Sequence, residues 1–148
     1  DAFGVGTRIN VSADAPYLVI AYKIVRYAGR DVLKLSEGKT TWAGEKQIYR
    51  SRGTDGRLAG DLLTLRDEPP PPNGQPLLRT VMEGGRIVEP LPALATIRGR
   101  CAEEVAALPD DVRALHHPAR YLVRYSDGLM THQGRLEAAM RAAEITRG

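Results

Sequence analysis

The sequence predicts an α+β domain, with strands in its first two thirds and mostly helices after them, and no alternating βαβ order. Three observations carry this. Runs rich in β-branched and aromatic residues, punctuated by Gly-containing turns, recur up to about residue 90. From Pro92 onward, apolar residues recur instead at steps of three and four. Between the two regimes, "DEPPPPNG" (Asp67 to Gly74) removes four N–H donors in a row and can only be an extended surface connection.

Each element follows from local chemistry. "YLVIAYKIVRY" (Tyr17 to Tyr27) reads as a strand, Ala28-Gly29 as its turn and "DVLKL" (Asp31 to Leu35) as the returning arm of a hairpin. "SEGKTTWAG" (Ser36 to Gly44) is a polar loop. "KQIYRSR" and "LAGDLLTL" form a second hairpin around Asp55-Gly56, two residues that tolerate positive φ. "LLRTVMEGGRIVE" is a third, turning at Gly84-Gly85. Leu94, Ile97, Cys101, Val105 and Leu108 make the apolar stripe of a helix, with Pro92 in its first turn and Pro109 closing it. A short helical turn is expected over Asp110 to Leu115 and a strand within "ARYLVRY" (Ala119 to Tyr125). A final helix runs from Asp127 to about Ala143 and carries Leu129, Leu136 and Met140.

Composition narrows the functional classes. The 148 residues suffice for one domain with a modest core, built from Leu, Val, Ile and Ala because only 5% are aromatic. A net charge of +3, with Lys and Arg interleaved among Asp and Glu, permits anionic ligands without forming a nucleic-acid stripe. The single cysteine, Cys101, excludes an intrachain disulfide and fits a reducing cytoplasm. No apolar run reaches bilayer-spanning length and none forms a signal-peptide core, so no membrane partner is expected.

Most motif candidates dissolve under their own spacing. "GKTT" (Gly38 to Thr41) lacks the earlier glycine of a phosphate loop, since Leu33 occupies that position. His116, His117, His132 and Cys101 match no zinc spacing, so no metal site is expected. Asp110-Asp111 suits a helix start, Cys101 a packed thiol, and Met82, Met130 and Met140 core filling. Arg98, Arg100, Glu103 and Glu104 suit a solvated helix face. No Ser/His/Asp or Cys/His set assembles, so no catalytic residue is assigned. One stretch keeps its chemistry: "DAFGVGTR". It is no dinucleotide fingerprint, because the third glycine and a preceding strand are missing. Yet Gly4 and Gly6 let the backbone approach a ligand without a Cβ, and the N–H groups of Gly6 and Thr7, with the Thr7 hydroxyl, can donate to a phosphate. In isolation such a Gly-x-Gly-Thr segment reads first as a tight structural turn.

Its neighbours carry a resemblance. "DAFGVGTRINVSADAP" (Asp1 to Pro16) resembles the Phe-Gly-Ile/Val-Gly-Thr segment of the nicotinate phosphoribosyltransferases. "AYKIVRYAGRDVLKLSEGKTTWAGEKQIYR" (Ala21 to Arg50) is similar to that family's Tyr-Lys-Leu-Val block and the runs that follow it, with Ala43 where the family commonly has Pro. "GGRIVEPLPAL" and "HPARYLVRYSDGL" resemble its closing segments.

The resemblance implies a C-terminal piece of a longer type II phosphoribosyltransferase, which also suits a chain that begins without Met. Residues 1–16 would end an incomplete α/β barrel, with Gly4, Gly6 and Thr7 at a phosphate. Residues 17–148 would form the smaller hairpin-rich and helical domain. It further implies nicotinate and phosphoribosyl pyrophosphate as substrates, ATP and Mg²⁺ for the complete enzyme, an upstream barrel as partner, a homodimer, and inactivity of this chain alone. The histidine that becomes phosphorylated lies upstream in the family, so none of the three histidines inherits its role. Lys34, Lys39 and Lys46 are either a basic block near the phosphates or solvated lysines that discourage edge pairing. The alternatives are a stand-alone anion- or nucleic-acid-binding module, and a sister enzyme using quinolinate or nicotinamide.

Overall fold

The computed structural model describes residues 23–34 and 40–145. Gly4, Gly6, Thr7, Lys39 and the first part of the expected Tyr17–Tyr27 strand lie outside the described residues. In chain order the elements are β1 (Arg26–Tyr27), β2 (Arg30–Asp31), β3 (Lys46–Arg52), β4 (Leu58–Leu65), β5 (Gln75–Pro76), β6 (Met82–Glu83), β7 (Arg86–Ile87), α1 (Leu94–Ala106), β8 (Val123–Tyr125) and α2 (Asp127–Ile145).

The centre is a four-stranded mixed sheet of order β5-β3-β4-β8. Strands β3 and β4 are antiparallel from Lys46↔Leu65 to Ser51↔Gly60, with a register irregularity at Ser51/Arg52. Their ends match "KQIYRSR" and "LAGDLLTL", because the β-branched and aromatic content and the Asp55-Gly56 turn point to one hairpin. Strand β8 adds parallel to β4, with Asp61↔Val123 and Leu63↔Tyr125 opposite one another. A parallel neighbour requires a long crossover, and the segment containing β5 to α1 supplies it. The division into strands first and helices later therefore missed one crossover. Gly60 permits the close approach: its φ is +151° and a Cβ there would lie 3.0 Å from the Leu122 carbonyl oxygen.

Helix α2 packs on β4 and closes the core. Leu129 is 0% exposed, and Leu33, Ala43, Tyr49 and Leu58 are buried with it, as are the polar Thr64 and Gln133. Full burial of a side chain such as Leu129 contributes about 1.5–3 kcal/mol. Ser126 begins the helix. Its hydroxyl accepts the Leu129 N–H at 3.1 Å and donates to Glu68 Oε1 at 2.6 Å, and the same Glu68 oxygen accepts the Leu65 N–H at 2.7 Å.

Helix α1 behaves differently. No residue in it is buried, and Ala93 at its N-cap makes no side-chain capping bond. Pro92 precedes that cap instead of standing in the first turn. The stripe of Leu94, Ile97 and Val105 is present but exposed, and Cys101 is an exposed thiol, not a packed one. The physical reason is incomplete packing: Cys101 and Val105 look toward Leu58 of β4 across a hollow instead of against it, so periodicity gave the helix without its burial. Met82 and Met130 are likewise exposed where core filling was expected.

Smaller corrections follow. Among described residues the first hairpin is reduced to two residues per strand, β1 with β2, around Ala28 (φ 47°) and Gly29 (φ 74°). Asp110 to Leu115 forms no helix. Arg113 N–H bonds Pro109 O once, at 3.0 Å, while Asp110 is held by Arg57 and Arg113 at 2.9 Å each. These cations, not a helix terminus, occupy its charge.

Candidate functional site

The polar groups of the described residues gather in two places. The first lies where loop 40–45 meets α2. Gln133, buried on α2, accepts the Ala43 N–H at 3.0 Å and donates to Thr41 O at 3.2 Å and Glu137 Oε1 at 2.8 Å. Trp42 stacks on Tyr125 with ring centroids 4.5 Å apart. His132 brings Nε2 within 2.9 Å of Asp31 Oδ2. Gly44 (φ 79°) lets this carboxylate come close, since a Cβ there would sit 3.0 Å from Asp31 Oδ2.

Lys46 lies on the β3 side of this cluster. Its ammonium donates to Trp42 O at 2.7 Å and to Gly44 O. Burial pushes its pKa below the usual lysine value, while the charge of Asp31 pulls the other way. An ammonium held by loop carbonyls organises the loop. Lys34, by contrast, is exposed, and its backbone N–H bonds Thr41 Oγ1 at 3.3 Å. The structure thus separates Lys34 from Lys46 in environment, though the sequence grouped them.

The second place is an ionic network under α1. Arg50 donates Nε and Nη2 to Asp61 at 3.0 and 2.9 Å, and Nη1 to Glu104 at 2.7 Å. Arg52 reaches the other Glu104 oxygen at 3.0 Å, and the Tyr121 hydroxyl donates to Asp61 at 3.1 Å. The Asp61 hydrogen bonds, then those of Glu104, raise the Arg50 pKa further against the cost of burial. Burial first, and Asp61 second, raise that of Tyr121. Glu104 therefore anchors α1 and is not part of a purely solvated face. Beside this network Leu58, Cys101, Val105, Leu108 and Val112 line an apolar hollow of ≈ 380 Å³.

A basic cleft of ≈ 230 Å³ lies over Lys46, Gln47, Arg66 and Arg79. Its guanidinium groups already face carboxylates, Arg66 with Glu45 at 3.0 Å and Arg79 with Glu89 at 3.2 Å. Among described residues no three of His, Cys, Asp and Glu gather as a metal set. His116 and His117 lie on an exposed loop, and His132 on α2. The bonds of Gln133 to loop 40–45 and the approach of His132 to Asp31 have no motif, because those partners lie about ninety or more residues away in sequence.

The comparisons with known proteins agree with this geometry. Residues 73–133 match the model of the nicotinate phosphoribosyltransferase C-terminal domain. A nicotinate phosphoribosyltransferase of Mycobacterium tuberculosis is 38% identical over 141 residues, covering 94% of this chain and 30% of that protein. The human enzyme is 32% identical, covering 87% of this chain and 28% of its own. The crystal structure of human nicotinic acid phosphoribosyltransferase superposes with a TM-score of 0.69 at 29% identity, over 78% of this chain and 26% of that one. A mixed sheet with two helices and these matches make the chain correspond to the C-terminal portion of a phosphoribosyltransferase. It belongs to the nicotinate phosphoribosyltransferase family, and it spans about 30% of the length of the curated relatives it matches.

Proposed function

We propose that this chain serves as the C-terminal part of an enzyme that joins nicotinate to phosphoribosyl pyrophosphate. The products are nicotinate mononucleotide and pyrophosphate, the step belongs to NAD biosynthesis in the cytoplasm, and ATP hydrolysis drives it. The observation that carries the reading is the alignment with a nicotinate phosphoribosyltransferase across 94% of the chain. In this reading residues 1–16 end the barrel and Gly4, Gly6 and Thr7 hold a phosphate through backbone N–H groups and one hydroxyl. Residues 17–148 are the smaller domain. The barrel supplies the catalytic groups, and two complete subunits pair.

The described residues contribute positioning, not chemistry. Gln133, Trp42 and Lys46 fix loop 40–45, next to the segment that contains Lys39. Mg²⁺ on the departing pyrophosphate would neutralise charge in the complete enzyme, and no described residue is assigned to hold it.

Titration calorimetry of phosphoribosyl pyrophosphate into this chain, with and without the barrel portion of the Mycobacterium tuberculosis relative, tests the reading. Binding only when the barrel is present, and lost in Gly6→Val, is expected. Tight binding by the chain alone would favour the stand-alone anion-binding module instead. If Lys39→Ala leaves the Michaelis constant for the phosphoribosyl donor unchanged in the joined enzyme, the basic block has no part in binding it.

A further inference from the structure

Every residue from 78 to 91 is exposed. Within this stretch β6 and β7 pair only with each other among the described strands, as Met82↔Ile87 and Glu83↔Arg86. Val88 N–H extends the ladder to Val81 O at 3.1 Å, and Gly84-Gly85 turns it with both φ values positive. The root is firmly set. Gln47 accepts the Leu78 N–H and donates to Leu78 O, each at 2.9 Å, and Leu77 N–H bonds Ile48 O at 2.8 Å. The hairpin is thus an arm held at its base on β3.

Side chains alternate across a ladder, so Val81 and Val88 share one face and Met82 and Ile87 the other. All four are 46–58% exposed. A hairpin lying on a surface needs one apolar face; this one carries an apolar pair on each, with the Glu83–Arg86 pair nearer the turn on the Val81/Val88 side. A lone two-stranded hairpin is also marginal in water. An arm rooted at one end, with an apolar cross-strand pair on each side, fits a cleft that grips it from both sides.

We infer that the arm at residues 78–91 inserts into an apolar cleft on the larger, N-terminal portion of a nicotinate phosphoribosyltransferase polypeptide. The inference rests on the functional reading above and names the surface through which it operates. Two facts select this occupant. The arm lies inside the segment matched by the family's C-terminal domain, so it is part of that domain's common frame, while about 70% of each relative's length lies elsewhere. A second copy meeting only at the arm would fall short: four side chains on two short strands do not approach the roughly 800 Å² per partner of a standard free-standing interface. A partner within the same polypeptide escapes most of the association entropy that sets this requirement.

Amide hydrogen exchange on the 148-residue chain, and on a fusion placing it behind the matching N-terminal portion of the Mycobacterium tuberculosis relative, tests the insertion. In the chain alone, the amides of 81–88 should exchange rapidly while those of β3 and β4 are protected. In the fusion they should slow by at least about tenfold. Val81→Asp with Val88→Asp, and separately Met82→Asp with Ile87→Asp, should each abolish that slowing. In the chain alone each pair should leave the melting temperature within about 2 °C. Sensitivity confined to one face means the arm is laid on, and overturns insertion. Protection in a monomer of the chain alone, or in a concentration-dependent dimer, replaces the occupant by this chain or its copy. A fusion that forms nicotinate mononucleotide while its arm exchanges freely overturns insertion alone. A protected arm in a fusion that forms none overturns the functional reading alone. A fusion with neither overturns both.

Discussion

The sheet-and-α2 half and the arm-and-α1 half of this domain have similar amounts of apolar sequence and opposite fates. Leu129 on α2 is 0% exposed and Leu94 on α1 is 71% exposed, although both sit near the start of an amphipathic helix. One helix has a sheet beneath it and two hydrogen bonds from Gln133 to loop 40–45; the other is tied at its C-terminal end, by Glu104 and by the Ala107 carbonyl that accepts the Leu58 N–H at 2.8 Å. Periodicity makes a face. Only a neighbour makes it a core.

The sharpest way to break the comparison is to truncate both leucines. Leu129→Ala should cost about 2–5 kcal/mol of unfolding free energy, read from urea transitions. Equal losses at Leu129 and Leu94 would mean that α1 is covered in solution. Gly60→Ala comes next, at about 2 kcal/mol, because it forces an L-residue into positive φ and pushes a Cβ onto the Leu122 carbonyl between β4 and β8. Gln133→Ala should cost about 1–3 kcal/mol, because it leaves the buried Ala43 N–H without its acceptor. Faster exchange at the Ala43 amide should accompany it, and an unchanged rate would show that the clamp is not formed in solution.

Alkaline titration sharpens the contrast by sign. Folding lowers the Lys46 pKa, so the unfolded chain holds the proton more tightly. Stability should therefore rise as pH climbs from the folded value toward the unfolded one of about 10.4. Folding raises the Tyr121 pKa, so its contribution is full below about 10 and fades as pH rises through the folded value. Lys46→Met should remove the rise and Tyr121→Phe the fall, measured as unfolding midpoints between pH 8 and pH 11 on the order of these pKa values. The smallest effect belongs to Leu94→Ala, within about 0.5 kcal/mol.

What the sequence disclosed follows the range of the forces involved. Strands β3 and β4 were legible to the residue, because alternation and the Asp55-Gly56 turn are local signals. The Gly84-Gly85 turn was legible for the same reason. The parallel docking of β8 was not, since nothing inside "VRY" records which strand lies beside it. The lock between Gln133 and Ala43 spans 90 residues and has no motif. Family membership was legible through the order of several weak blocks. The individual roles of Lys34 and Lys46 were not, because only packing decides which ammonium meets loop carbonyls.

The start of α2 bears on where an anion can settle. Helix beginnings are natural anion traps, with free N–H groups and a positive field. Here the trap is already filled from within the chain: Glu68 takes the Ser126 hydroxyl, and a Cβ on Gly128 would stand 2.6 Å from its other oxygen. A carboxylate fixed in that seat repels any second anion. The start of the longest helix of the described residues is thereby electrostatically closed to a further anion.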